Sequence, residues 1–226
     1  MNFVQGGSMK AAAILRFGAL ALMAYSGRLS AATAFEQQVL DALNSARADP
    51  VGYARSLRQY RTYFRANLIR FPGQDTEVET QEGVKVVDEA IAFLANRSSL
   101  QPIQASSILG SVAMDLVSDQ SNSGDTGHEG ADGGSPSDRS RRRGGGAYVA
   151  EVIAYGSMDA ADVVRQLIVD DGVADRGHRS ILYSSDLRFA GVACGPHPEF
   201  RTMCVIDLAA TADGNAPGRG ARSVAR

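Results

Sequence analysis

Residues 148–155 limit the possible fold more than any other stretch of the chain. The run Tyr-Val-Ala-Glu-Val-Ile-Ala-Tyr is rich in β-branched and aromatic residues, which is typical of a strand. Side chains alternate between the two faces of a strand, and both faces are apolar here, which predicts a covered, central strand. Glu151 is then a lone charge in a buried strand. Leaving even a neutral polar group unpaired there costs on the order of 2–7 kcal/mol, so Glu151 needs a cation, a histidine, a metal or helix-end donors.

The remaining apolar pattern predicts a mixed α and β domain. The chain has 226 residues, 44% of them hydrophobic and 21% charged, which is enough for one domain with a core. Helical spacing of apolar residues recurs in several segments, and two further apolar runs near the C-terminus read as strands. The predicted helices cover residues 35–46, 51–69, 84–94, a segment capped by Ser106 or Ser107, 157–169 (capped by Ser157 and stopped by Gly172) and 177–182; the strands cover 189–194 and 202–209.

Residues 1–34 have the features of a signal peptide. Lys10 and Arg16 precede a short apolar run that is too short to span a bilayer, and residues 32–34 fit a small-x-small cleavage site. We therefore expect an exported protein, secreted or periplasmic, although a buried N-terminal helix is the alternative. The mature domain is expected at 35–210, followed by a disordered Gly-, Arg- and Pro-rich tail at 211–226. No later stretch is apolar enough for a transmembrane anchor.

The net charge and the two cysteines indicate which class of partner and which cellular compartment to expect. The formal net charge is −2, which argues against nucleic acid as the main partner. Cys194 and Cys204 flank a turn-rich stretch, and in an oxidising compartment such a pair is expected to form a disulfide; two free buried thiols are the alternative. The arginine-rich stretch 139–143 is expected to be mobile.

Four polar residues form a candidate site. His128 lies between glycines, His178 follows an acidic stretch, and Glu151 is the lone strand charge; Asp170 or Asp171 completes the set. Two imidazoles with carboxylates suit Zn²⁺ or another divalent cation, and the same groups could do acid/base work. Because the four belong to different elements, the alternative is two surface histidines and a salt-bridged strand carboxylate.

The residues around this site have simpler expected roles. Arg176 and Arg179 are expected to brace His178 by pairing with acids such as Asp171, Asp175 or Asp138. His197, the third histidine, is expected to be solvated in a turn.

Four motifs, in order, resemble the CAP superfamily of cysteine-rich secretory, antigen 5 and pathogenesis-related proteins (SCP-like extracellular domains), in its exported bacterial branch. Residues 39–54 are similar to its opening helix, 127–130 to its first histidine motif and 150–153 to its Gly-Glu-Asn-Ile motif. The most specific match is Arg-Gly-His-Arg-Ser-Ile-Leu at 176–182, similar to Pro-Gly-His-Arg-x-Asn-Ile-Leu. The resemblance covers about residues 35–210; residues 51–97 look like a branch-specific elaboration.

The resemblance implies an α+β fold, a three-layer α-β-α sandwich with a small antiparallel sheet. It also implies a cleft in which His128, Glu151, His178 and Asp170 (or Asp171) surround a divalent metal. Ala150 and Val152 depart from the family motif, and the chain has no tryptophan. The expected function is a secreted metal-binding module that docks a small hydrophobic molecule such as a lipid, a glycan or a protein. One alternative is a zinc-dependent hydrolase in which Glu151 or Asp170 accepts a proton from water; another is a metal-free structural or interaction domain.

Overall fold

The computed structural model describes residues 33–157 and 159–217. Residues 1–32, and with them nearly all of the predicted signal peptide, lie outside the described residues, as do Met158 and 218–226. Part of the stretch assigned to the tail is described. There the Gly146 N–H donates to the carbonyl of Asp213 (2.7 Å) and the Tyr148 N–H to the carbonyl of Gly214 (2.9 Å), so this part runs beside the start of a strand.

Local sequence signals begin most of the helices. The Thr33 side chain and Glu36 form a capping box at the first helix, and Asp49 caps the second with Pro50 at its first position. Ser106, not Ser107, caps the fourth. The helices of the described residues are α1 (Ala34–Ala48), α2 (Pro50–Arg61), α3 (Val84–Ala95), α4 (Ser107–Ser123), α5 (Pro136–Arg142), α6 (Ala160–Val169) and α7 (Gly177–Leu182).

Two small sheets accompany these helices. The first has the order β1-β2-β3, with β1 (Phe64–Arg65), β2 (Leu68–Ile69) and β3 (Val78–Glu79). The second has the order β4-β6-β7-β5, with β4 (Gln104–Ala105), β5 (Val149–Tyr155), β6 (Phe189–His197) and β7 (Arg201–Ala209). Its pairs are antiparallel except β4 with β6, which is parallel and departs from the expected all-antiparallel sheet.

Helices cover both faces of the four-stranded sheet. On one face α4 places Leu116 and Val117 against Ile153 and Val205. On the other face the strand residues, such as Val152, join a larger core with α1, α2, α3 and α6. This confirms the predicted α+β fold with three layers, α-β-α. None of the helices in residues 33–157 and 159–217 has the length and apolarity needed to cross a membrane.

The strand β5 is covered on both faces, but it is not central. β5 pairs only with β7 and forms one edge of the sheet. The prediction of a central position was wrong because an apolar pattern reports which faces are buried, not whether both edges are paired. A covered face and an open edge are therefore compatible in this strand.

The predicted helix over 51–69 ends early. α2 stops at Arg61, and β1 and β2 follow as a hairpin whose turn places Ala66 in the left-handed region (φ 55°). The hairpin buries Phe64 and Ile69, and Phe64 packs edge-on against Tyr60 with the ring centroids 5.2 Å apart. Burial of these two side chains favours the hairpin over further helix, because β-branched and aromatic residues suit strands.

The arginine-rich stretch forms a short helix and not the mobile loop that was expected. Ser135 caps α5 through a capping box with Asp138, and Pro136 occupies the first helical position. Arg139 in this helix is fully buried. Composition alone predicted disorder because the sequence does not show that this arginine has a buried partner.

The caps of α6 differ from expectation. Asp159, not Ser157, accepts the capping hydrogen bond; the helix ends at Val169, as predicted, and its C-cap is Asp170, not Gly172. Asp170 is in the left-handed conformation (φ 63°) that glycine usually takes at this position. A non-glycine residue there indicates a local constraint on this carboxylate.

The predicted disulfide is confirmed. Cys194 and Cys204 are bonded, and they lie directly opposite each other in the β6–β7 pair with Cα atoms 4.1 Å apart. The bridge therefore closes the hairpin that forms the centre of the sheet.

We predict that Cys194→Ala/Cys204→Ala lowers the free energy of unfolding by about 3 kcal/mol, the loop-closure value for a loop of this short length. Urea unfolding followed by circular dichroism measures the change. Wild type with reducing agent is the matched control and should lose a similar amount. Equal stability of the double variant and oxidised wild type would contradict the prediction.

Candidate functional site

The first histidine pair lies where a glycine turn meets β5. Gly127 (φ 97°) donates its N–H to the Tyr155 hydroxyl (3.0 Å), and its carbonyl accepts from the Gln120 side chain (2.7 Å). These bonds fix the chain just before His128. The Nδ1 of His128 lies 2.9 Å from Oε1 of Glu151, whose side chain is 1% exposed whereas that of His128 is 50% exposed.

Arg139 is the second partner of Glu151. Its guanidinium contacts the other carboxylate oxygen of Glu151, and both side chains are buried. The same guanidinium donates to the His128 carbonyl (2.9 Å) and to the Gly134 carbonyl (3.0 Å). Arg139 therefore neutralises the lone charge of β5 and also holds the loop that carries His128. Glu151 has both a cation and a histidine, two of the partners that the sequence left open.

A second buried acid lies beside Glu151, and the sequence reasoning missed it. Asp207 on β7 is the direct cross-strand neighbour of Glu151 and is fully buried. Among the described residues no N–H or hydroxyl group donates to either of its carboxylate oxygens. Burial first, and then the charge of Glu151, raise the pKa of Asp207 well above its usual range. The signal was available: Asp207 is a single charge in an apolar strand, as Glu151 is.

The second histidine pair joins α6 to α7. The Nδ1 of His178 lies 2.8 Å from Oδ1 of Asp170, and Oδ2 of Asp170 accepts the backbone N–H of Arg179 (3.1 Å). The Asp170 side chain is fully buried and that of His178 is 22% exposed. Asp170 is thus held by two donors, and it holds the imidazole in turn.

Arg179 stabilises the turn around this pair. Its buried guanidinium donates to the carbonyls of Ile168 (2.6 Å) and Val169 (2.7 Å), which are the last carbonyls of α6, and to Glu89 (2.8 Å). A cation at the carbonyl end of a helix is favourable because that end carries partial negative charge. The expected bracing role fits these contacts, but its acidic partner is Glu89.

Asp171 has a different role from Asp170. Its carboxylate accepts the backbone N–H groups of Gln81 (2.7 Å) and Glu82 (2.8 Å). Arg176 adds bonds to Glu82 (2.7 Å) and to Glu89 (2.9 Å), not to the acids expected from the sequence. Asp171 and Arg176 therefore attach the segment before α3 to the α6–α7 turn, and the carboxylate that contacts His178 is that of Asp170.

A cleft of about 780 Å³ opens beside this turn. Asp170 and His178 line it together with Ile153 and Tyr155 of β5, whereas His128 is not among the lining residues. The segment from β2 to β3 and its flanks, for which the sequence predicts a branch-specific elaboration, also lines the cleft. Its lining residues are Ile69, Phe71, Gln74, Thr76, Val78, Glu79 and Thr80.

The donor set fits a metal held by imidazoles. In both pairs a carboxylate holds Nδ1, which leaves Nε2 as the available ligand atom; in the described part of the chain neither Nε2 has a hydrogen-bond partner. Metal-ligating histidines are usually held in this way by a carboxylate. Within residues 33–157 and 159–217, no three His, Cys, Asp or Glu side chains lie together in a way that could hold a metal ion. Because each of them contacts an Nδ1 atom, Glu151 and Asp170 fit the role of orienting partners better than that of direct ligands.

His197 is buried, so the prediction of a solvated turn residue was wrong. Its ring packs against Tyr155 and Phe200 with centroids 5.3 and 5.2 Å away. Its Nε2 lies 3.0 Å from the Asp125 carbonyl, and Nδ1 accepts the backbone N–H groups of Glu199 and Phe200 (both 3.3 Å). These contacts tie the β6–β7 turn to the loop before His128.

The comparison with protein-family models agrees with the motifs. The family model described as "CAP: Cysteine-rich secretory protein family" matches residues 40–208. No curated protein matches the chain. Among solved structures, the chain is similar to an outer surface protein from Borrelia burgdorferi, with 14% identity and a TM-score of 0.40 over 55% of this chain and 85% of that one.

We predict that Arg139→Met destabilises the protein by about 3–5 kcal/mol, because it leaves the buried charge of Glu151 without its cation. Arg139→Met/Glu151→Leu should recover a large part of that loss, since both charges are then absent. Urea unfolding of the two single variants and the double variant gives the coupling energy. Additive losses in the double variant would contradict the prediction.

We predict that Asp207→Asn reduces the loss of stability at high pH. A raised folded-state pKa favours the folded protein below the unfolded value, about 3.9, and this stability is lost as pH rises through the folded pKa. Asparagine does not titrate, so the free energy of unfolding of the variant should increase relative to that of wild type as pH rises from about 4. Asp213→Asn is the control with opposite sign, because hydrogen bonds from Asn215 lower the pKa of Asp213. Equal pH slopes for wild type and Asp207→Asn in urea unfolding would refute the assignment.

Proposed function

Because the chain belongs to the cysteine-rich secretory protein (CAP) family, we propose that it is an exported binding module that holds a divalent cation, with Zn²⁺ first, through His128 and His178. The ligand docks in the adjacent cleft. One observation carries this proposal: a buried carboxylate holds Nδ1 of each imidazole and leaves both Nε2 atoms available.

The carboxylates would raise the affinity of the imidazoles for a metal. A carboxylate on Nδ1 fixes the tautomer and ring orientation and makes Nε2 a better ligand. Glu151 lies on β5 and His178 on α7, two elements that pack against each other. Two imidazoles leave the remaining coordination positions to water or to a docked ligand, as in an open zinc site. The metal, when bound, supplies a Lewis acid that polarises a coordinated oxygen.

The contacts of the carboxylates favour binding over hydrolysis. A zinc hydrolase needs a carboxylate that is free to accept a proton from water. Both oxygens of Glu151 are already engaged, by His128 and Arg139, and both oxygens of Asp170 by His178 and the Arg179 N–H. A binding module is therefore the better proposal, and the hydrolase and the metal-free domain are outcomes that would replace it.

Export has two supports. The pattern of residues 1–34 is that of a secretory signal, and the Cys194–Cys204 bond is stable in the oxidising compartments that exported proteins reach. We therefore include secretion or a periplasmic location in the proposal. Whether the ligand is a lipid, a glycan or a protein is a separate question.

We predict that purified protein binds Zn²⁺ and that His128→Ala and His178→Ala abolish this binding, because each removes one imidazole ligand. Asp170→Asn should weaken Zn²⁺ binding about 10–100-fold, the effect typical of losing an orienting partner. Isothermal titration with Zn²⁺ and elemental analysis after dialysis measure both effects.

Asp175→Asn is the matched control. Asp175 lies three residues before His178, is exposed and accepts the Gly177 N–H, so its loss should leave Zn²⁺ affinity unchanged. If wild type and the two histidine variants bind equally little Zn²⁺, the metal proposal fails. If Zn²⁺ binds and ester or peptide substrates turn over in a His178-dependent way, the hydrolase replaces the binding module.

A further inference from the structure

The outer edge of β5 is largely unpaired. The N–H of Gly156 donates to the Thr202 carbonyl (2.8 Å), and β5 pairs antiparallel with β7 in a register that places Tyr155 opposite Met203. In such a ladder, alternate residues direct their backbone groups toward the partner strand. Residues 150, 152 and 154 therefore bond to β7, whereas Glu151, Ile153 and Tyr155 direct theirs away from it.

A side-chain amide already occupies one position of this edge. The backbone N–H of Tyr155 donates to Oε1 of Gln166 (3.0 Å), and Nε2 of Gln166 donates to the Tyr155 carbonyl (2.9 Å). These are the two bonds that a residue of a neighbouring strand would make. Gln166 belongs to α6 and lines the cleft, so this edge accepts a peptide-like group from the cleft side.

The next position along the edge lacks such a partner. Within the ranges that the structure describes, no residue outside the ladder hydrogen-bonds to the backbone of Ile153 or of Glu151. Ile153 lines the cleft. An unpaired strand edge is a template for another strand, because its N–H and C=O groups repeat at the spacing of an extended chain.

The segment from β2 to β3 offers a second strand edge with an apolar side chain. β3 is the end strand of the sheet β1-β2-β3, and Val78 in it is 49% exposed although it is apolar. Val78 and Ile153 line the same cleft, whose volume lies in the usual range of ligand sites.

We propose that the ligand of this cleft is an extended polypeptide segment that adds to β5 as a further strand and places an apolar side chain against Val78. The inference rests on the docking role proposed for the cleft, but not on the metal. An acyl chain cannot hydrogen-bond the backbone of Ile153, and burying that backbone under a lipid would cost the free energy of unpaired polar groups. Sugar hydroxyls do not repeat at the strand spacing, whereas a peptide supplies alternating donors and acceptors there.

The first test selects peptides on the full exported chain from a displayed library of random heptapeptides and resynthesises the best binder. Single N-methylation along this peptide removes one donor at a time. We expect the dissociation constant to rise at least about tenfold at alternate residues and to change little at the residues between, because alternate amides face β5. Hydrogen exchange of the Ile153 amide should slow in the complex. Failure to select any binder, or an N-methyl scan without a two-residue period, would overturn the inference.

The second test changes the protein. Ile153→Pro removes the outward N–H, which an edge strand tolerates, and should abolish peptide binding. Val78→Ser should weaken it several-fold, whereas Val51→Ser is the matched control, because Val51 is a similarly exposed valine on α2 outside the cleft. If Ile153→Pro does not fold, the N-methyl scan and the hydrogen-exchange measurement decide whether the peptide adds to β5 as a strand. The proposal is refuted if Val78→Ser and Ile153→Pro both fold and both bind the peptide with unchanged affinity.

The two proposals fail separately. His128→Ala should lose Zn²⁺ and still bind the selected peptide, because His128 does not line the cleft, and Ile153→Pro should lose the peptide and still bind Zn²⁺. If wild type binds the selected peptide but no Zn²⁺, only the metal proposal fails. If the protein binds phosphatidylcholine/phosphatidylglycerol vesicles or a glycan array and no peptide, the proposal of a polypeptide ligand is overturned. The docking role of the cleft then remains.

Discussion

The burial of two carboxylates beside the two histidines is the constraint on which the site depends. Glu151 and Asp170 are nearly inaccessible to solvent, and a buried charge is tolerated only when its partners replace water. Arg139 supplies that replacement for Glu151 through direct contact. For Asp170 the partners are the Arg179 N–H and His178, while the Arg179 guanidinium holds the end of α6. Each imidazole is therefore oriented by a group that is itself fixed in the core.

The motif residues could be predicted from the sequence, because their chemistry is local. Glycines around His128, a lone charge in Glu151 and the stretch around His178 each indicate a polar site without knowledge of the fold. The choice between Asp170 and Asp171 could not be made, because it depends on the left-handed turn at the end of α6. That turn directs one carboxylate to His178 and the other to the backbone of Gln81 and Glu82.

The parts that the sequence did not reveal depend on pairing between distant segments. Strand order decides that β5 is an edge, and an apolar pattern carries no information about it. Arg139 resembled a solvated loop residue because its partner lies on another element. Asp207 could have been found by the argument used for Glu151, but its position opposite Glu151 required the register of β5 and β7.

The segment between α2 and α3 is fastened at both ends. Arg61 pairs with Asp88 on the helix that follows it, and Asp171 and Arg176 tie its end to the α6–α7 turn. Changes of length or sequence between these anchors would reshape one wall of the cleft and leave the histidine pairs in place. Under the proposed docking role, the selectivity of the cleft would then depend on this segment and not on the histidine pairs, and related chains would diverge in what they recognise by altering it.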